Sequence, residues 1–170
     1  MDIYFIAGIH GVGKGTLCKM LSSHLNLDFY SCSDIIKANS KYVEKSKGVK
    51  DAKENQSSLL MGISKLKCNK VALDGHFCLL NSMGGIVELD YDVFDCINPK
   101  KVVTVTCDAN EVSNRLIHRD GTSPDVALLD EFQQKELKRS IEFSSSRNLP
   151  HFTYCSGDEI DTLIEWIKAD

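Results

Sequence analysis

Lys14 stands in a run of small residues, Gly8-Ile9-His10-Gly11-Val12-Gly13-Lys14-Gly15-Thr16. These types at this spacing suit an anion. Glycines let the backbone curl without Cβ clashes, so successive N–H groups can point at phosphate oxygens. A helix starting where the loop ends adds its partial positive charge. The whole loop, from Gly8 and His10 through Gly11, Val12, Gly13, Lys14, Gly15 and Thr16, is expected to hold a nucleoside triphosphate. Lys14 supplies a mobile full charge for the β- and γ-phosphates, and Thr16 a hydroxyl near the Mg²⁺ site. His10 contacts a phosphate, lies on the adenine side, or merely packs. The bland alternative is a glycine-rich turn without a ligand.

Phosphoryl transfer needs positioning, cations at the phosphates and a place for the acceptor, with little covalent chemistry. Further residues fit those needs. Asp74 follows the apolar run Val71-Ala72-Leu73 and is placed to hold Mg²⁺ through water, or else caps a turn. Asp34 could accept a proton from an acceptor hydroxyl, orient an acceptor nucleotide, or stabilise a helix N-terminus. Lys37, one turn on, meets an acceptor phosphate or solvent. Arg115 and Arg119 are four apart and share a helix face, where two guanidinium groups can clamp phosphate charge. Arg115 is assigned to the nucleotide. Arg119 and, on a later helix, Arg139 are assigned to the charge that develops during transfer, with ordinary helix-end pairing as their alternative. His76, just after Asp74-Gly75, is expected on the acceptor side of the cleft or in a structural role.

These residues need a sheet with helices around it. A chain of 170 residues suggests one domain, and 42% hydrophobic residues suffice for a core. The net charge of -4 gives no bulk attraction to nucleic acid or anionic membrane. No apolar run approaches the roughly 18 residues of a membrane span. The start of the chain does not look like a signal peptide. Cys18, Cys32, Cys68, Cys78, Cys96, Cys107 and Cys155 form no C-x-x-C pair, which suits free thiols in a reducing cytoplasm.

Apolar strand-like segments at Ile3–Ala7, Phe29–Ser31, Lys70–Leu73, Val102–Thr106 and His151–Cys155 alternate with helical patterns. The helices are expected at Lys14–Leu25, after a Ser33 cap at Asp34–Lys37, at about Asp51–Leu66, at Asn110–His118, at Val126–Ser145 and at Ile160–Ala169. This alternation predicts an α/β fold with a parallel sheet, whose ligands bind at the carboxyl ends of strands. The phosphate loop, Asp34, Asp74 and Asp108 all fall at or just after such ends. Lys37, Lys41, Lys45, Lys47, Lys50 and Lys53 form a basic block in an acidic chain, either a draw for an anionic substrate or a solvated segment.

The loop ending Lys14-Gly15-Thr16 resembles that of the adenylate-kinase group. Ser33-Asp34-Ile35-Ile36-Lys37, Leu73-Asp74-Gly75-His76-Phe77, Asn98-Pro99-Lys100-Lys101-Val102-Val103 and Arg115-Leu116-Ile117-His118-Arg119 follow in order. Together they resemble archaeal-type adenylate kinases and related small nucleotide kinases over most of the chain. The resemblance implies a three-layer P-loop fold with a five-stranded parallel sheet flanked by helices. It also implies a helical acceptor-binding segment at about 33–68, a short lid at about 119–125, and ATP with Mg²⁺ as donor. Asp74-Gly75-His76-Phe77-Cys78 departs from the usual Asp-Gly-Phe-Pro-Arg, so that acceptor arginine is missing. Lys37 stands where another is usual, and Asp120–Asp125 contains none.

The expected activity is therefore transfer of the ATP γ-phosphoryl group to a small acceptor, foremost a nucleoside monophosphate. A hydroxyl acceptor with Asp34 as base is the alternative within kinases, a nucleic-acid 5′-OH being a less favoured case. An ATP-driven switch is the alternative outside them.

Overall fold

The computed structural model describes residues 1–40, 50–81, 83–121 and 124–169. Strand β1 (Asp2–Ala7) is apolar and buried from Ile3 onward. Such continuous runs suit parallel strands covered on both faces. The other sheet strands are β2 (Asp28–Ser31), β3 (Lys70–Asp74), β6 (Lys101–Thr106) and β7 (His151–Cys155). They form one parallel sheet in the order β2-β3-β1-β6-β7. The register sets Ile6 beside Asp74 and Ala7 beside Thr104, so β1 and β3 end within a residue of each other and β6 runs two residues further, to Thr106. Two connections diverge at β1, and the loop that leaves it lies at the switch point where α/β sheets take ligands.

Helices cover the sheet: α1 (Lys14–Leu25), α2 (Cys32–Asn39), α3 (Lys50–Ser64), α4 (Tyr91–Ile97), α5 (Ala109–Asp120), α6 (Val126–Ser146) and α7 (Asp161–Lys168). The rings of Phe5, Phe77, Phe94 and Phe143 meet beneath the carboxyl edge, with Phe77 and Phe94 stacked at 4.1 Å. Helices α2 and α3 approach closely at Gly62, where a Cβ would fall 2.1 Å from Ile35 Cγ2. Lys65 Nζ donates to Asn39 Oδ1 across the same contact at 2.7 Å. These helices form the segment expected to take the acceptor.

Helix α4 was not expected from the sequence, and two further features differ from that reading. Helix α2 starts at Cys32 after an extended Ser31, so Ser33 is inside the helix and does not cap it. Its hydroxyl meets Ser31 Oγ at 2.9 Å. Between β3 and α4 lies a hairpin, β4 (Cys78–Leu80) paired antiparallel with β5 (Ile86–Glu88), which no periodicity announced. Asn81 Oδ1 shapes its turn by accepting from Met83 N at 2.9 Å and Gly85 N at 2.8 Å. Strands of three residues are too short to show an alternating pattern.

Candidate functional site

The loop after β1 curls as its glycines permit. Gly8 has φ +147°, and a Cβ there would sit 2.7 Å from Val105 O. Gly13 has φ +104° and immediately precedes α1. No side chain caps α1, and its first turn carries no acidic residue. No side-chain cap or first-turn carboxylate therefore competes for its first N–H groups, the arrangement expected of a phosphate loop.

Lys14 is the first residue of α1 and is 6% exposed. Its Nζ donates to Gly8 O at 2.8 Å and Ile9 O at 3.1 Å, and lies 3.6 Å from Asp74 Oδ1. Burial lowers the lysine pKa, against the pull of Asp74 and Glu136. Burial raises that of Asp74, opposed by Lys14. Asp34 also raises it, so Asp34 is within electrostatic reach of the Lys14–Asp74 pair.

The other expected residues are distributed around this centre. His10 and His76 bring their rings to 4.4 Å, tilted by 46°. Burial and then Lys14 lower both histidine pKa values, which favours the neutral form of each ring, more strongly for the more deeply buried His76 than for His10. His76 Nδ1 is buried without a hydrogen-bond partner. Arg115 grips the loop from outside, donating through Nη1 to Gly11 O at 3.3 Å, Val12 O at 3.1 Å and Ser156 Oγ at 3.2 Å. Its other nitrogen pairs with Glu111. Arg119 forks onto Asp120 with bonds of 2.7 and 2.6 Å. Both members of that pair act on the His10 pKa, which places them on its side of the loop.

Asp34 and Lys37 pair with each other at 3.5 Å on an exposed stretch of α2. Thr16 is exposed on α1, while Gly15 occupies the position directly after the lysine, where an added Cβ would meet nothing within 4 Å. Among the described residues no group of three or more His, Cys, Asp or Glu side chains could hold a metal. The donor set thus fits phosphates better than a bare cation, with Asp74 the carboxylate nearest Lys14. Asp108 caps α5 by accepting from Asn110 N and Glu111 N.

Arg139, expected at the transferring phosphate, donates to Glu88 Oε2 and Leu89 O, each at 2.6 Å, and covers the Tyr91 ring. Its partners lie on and just after the hairpin, so it anchors that element to α6. Lys41, Lys45 and Lys47, and the 122–123 part of the lid, lie outside the described residues, as do the side chains of Lys50 and Lys53.

The sequence reading missed Glu136. It is 0% exposed on α6 and accepts from Gly8 N, Phe77 N and Cys78 N. Its signal was present in the chain: it occupies the buried stripe Leu129, Phe132, Glu136, Ser140 and Phe143. A charge at such a position calls for an unusual partner.

A glycine loop between the central strand and its helix, with a buried lysine at the helix start, defines a P-loop α/β protein. Residues 7–133 match the AAA domain family, and the chain belongs to it. No curated protein matches the chain in sequence. Its fold is that of P-loop kinases. It superposes on a protein from Chloroflexus aurantiacus J-10-fl with TM-score 0.59 at 13% identity, covering 98% of this chain and 96% of the other. A sugar kinase from Janibacter sp. HTCC2649 gives 0.55 at 14%, covering 98% and 92%. A gluconokinase from Sinorhizobium meliloti 1021 gives 0.53 at 9%, covering 96% and 87%. All seven cysteines are free, and no helix among the described residues is long and apolar enough to cross a membrane.

Proposed function

We propose that this protein is an ATP-dependent kinase that phosphorylates a hydroxyl group of a small molecule. The kinase part rests on Lys14, held at the start of α1 between the loop carbonyls and Asp74. The loop N–H groups and Lys14 hold the donor phosphates. Bound Mg²⁺ would supply Lewis-acid charge at those phosphates, with Asp74 orienting its waters and Thr16 as a further hydroxyl. Asp34 accepts the proton of the attacking hydroxyl.

One observation favours an uncharged acceptor group. The chain has four arginines, and each is already committed: Arg115 to the loop carbonyls and Glu111, Arg119 to Asp120, Arg139 to Glu88, and Arg147 to Asp95. A bidentate hold on an acceptor phosphate would require one of them to give up its present partner. The kinase names carried by the gluconokinase and sugar kinase neighbours agree with this choice. The nucleoside-monophosphate reading remains the second, supported by the motif order and by Lys37 near Asp34.

Incubation with Mg·ATP and a panel of nucleoside monophosphates, nucleosides, sugars, sugar acids and 5′-hydroxyl oligonucleotides tests the acceptor. The expected product is a phosphate ester on a neutral hydroxyl, and Asp34→Asn removes most of the turnover. Transfer to a nucleoside monophosphate, with Asp34→Asn affecting mainly acceptor binding, establishes the second reading. ATP hydrolysis with no acceptor phosphorylated points to a switch.

A further inference from the structure

Glu136 joins two strand ends that the sheet itself leaves open. Gly8 follows the last residue of β1, and Phe77 and Cys78 lie past the end of β3. At that carboxyl edge the sheet ladder runs out, and buried N–H groups there need another acceptor. The Glu136 carboxylate provides it. Oε1 accepts from Gly8 N at 3.0 Å and Phe77 N at 2.9 Å, while Oε2 accepts from Phe77 N at 3.0 Å and Cys78 N at 2.6 Å.

A buried carboxylate costs several kcal/mol in desolvation and persists only where it is well bonded. Here its bonds reach residues 128, 59 and 58 positions away in the chain. It also acts electrostatically on Lys14. The geometry points to Glu136 as a positioning residue: it fixes the start of the phosphate loop against the His76–Cys78 segment, and with them the His10–His76 pair.

The placement of the neighbours supports this. His10 is two residues beyond Gly8, and His76 immediately precedes Phe77, so the paired rings grow from the two segments that Glu136 joins. Arg139, one turn further along α6, ties the second strand of the same hairpin through Glu88, which pairs with Cys78, and Leu89. That second tie holds the hairpin without touching the phosphate loop, and it supplies the control. The inference rests on the phosphate-loop reading for its consequence on ATP, and its geometric part can be read without nucleotide.

The test compares Glu136→Gln with Glu88→Gln. A glutamine turns an NH₂ group toward one of the N–H donors, whereas Glu88→Gln weakens only the Arg139 tie. In nucleotide-free protein, the His10 and His76 ring resonances are expected to move in Glu136→Gln and to stay in place in Glu88→Gln. Mg·ATP affinity is expected to fall at least about tenfold in the first and to hold in the second. Unmoved histidine signals and unchanged ATP affinity in folded Glu136→Gln overturn the proposal. The same changes in both variants overturn it too, since hairpin anchoring alone would then suffice. Should Glu136→Gln fail to fold, amide exchange in the wild-type protein decides: Gly8, Phe77 and Cys78 are expected to exchange slowly and together. A Gly8 amide exchanging about a hundredfold faster than Phe77 contradicts the link. Should the histidines respond while wild-type protein binds no ATP, the kinase reading fails and the positioning role stands.

Discussion

Lys14 and Asp74 face one another across the carboxyl ends of β1 and β3, Nζ to Oδ1 at 3.6 Å, with Lys14 6% and Asp74 18% exposed. This is no loose surface pair. Each charge resists the other's desolvation, and the ammonium spends further donors on Gly8 O and Ile9 O. A phosphate chain can exchange those neutral carbonyls for charged oxygens, and a charge-assisted bond is roughly twice as strong as a neutral one. The lysine is thus held beside the loop, where the proposed donor phosphates would meet it.

Two glycines of the loop should respond in opposite ways. Gly13→Ala puts a side chain at φ +104°, with its Cβ 2.9 Å from Ser156 Oγ and 3.3 Å from Arg115 Nη1. It should cost about 1–2 kcal/mol in denaturant unfolding and weaken Mg·ATP binding. Gly15→Ala meets nothing within 4 Å and lies in α1. Its stability should be unchanged or higher by up to about 1 kcal/mol.

Arg115 holds the loop through the carbonyls of Gly11 and Val12. Removing it with Arg115→Ala should loosen the turn and lower Mg·ATP affinity by about tenfold, the scale of one or two such bonds. Titration calorimetry would read the change. Undiminished affinity would mean that the loop keeps its shape without this brace.

His76 should make stability depend on pH. Burial, then Lys14 and His10, hold its pKa well below the ordinary 6.5. At pH values above 6.5 both folded and unfolded forms keep the ring neutral, and the full stability is present. Below it the unfolded chain takes up a proton that the folded state refuses. Wild-type stability should then fall relative to His76→Gln by up to about 1.4 kcal/mol per pH unit, until the folded pKa is reached. Asp74 and Glu136, whose pKa values are raised by burial, slope the other way in acid, so the comparison with His76→Gln is what isolates the histidine. Parallel pH profiles for the two proteins would contradict this.

The parts that local pattern dictates were legible in the chain. Helix α1 begins at Lys14 and ends at Leu25 as its spacing predicts, β6 follows from its β-branched run, and β7 falls at His151–Cys155 as expected. Long-range partners were not legible. Nothing near Arg139 shows that it turns to Glu88, 51 residues away, and nothing near Gly8 names Glu136. Helix α4 has only seven residues, too few for a periodic signal, and Leu79 and Leu80 of the hairpin are 39% exposed, which blurs their pattern. The proposed donor side is local in sequence, from Gly8 to Thr16, whereas the proposed acceptor residues Asp34, Lys37 and His76 lie on separate elements, and a local pattern carries the first kind of site better than the second.

The central claim turns on Lys14. The decisive measurement follows γ-³²P transfer from Mg·ATP to the acceptor identified by the panel, with wild-type protein beside Lys14→Ala of unchanged circular dichroism. The account predicts labelled product from the wild type and loss of at least about a thousandfold in transfer from the variant, in line with the leverage of preorganised charge at a transferring phosphate. Full transfer by folded Lys14→Ala would contradict it.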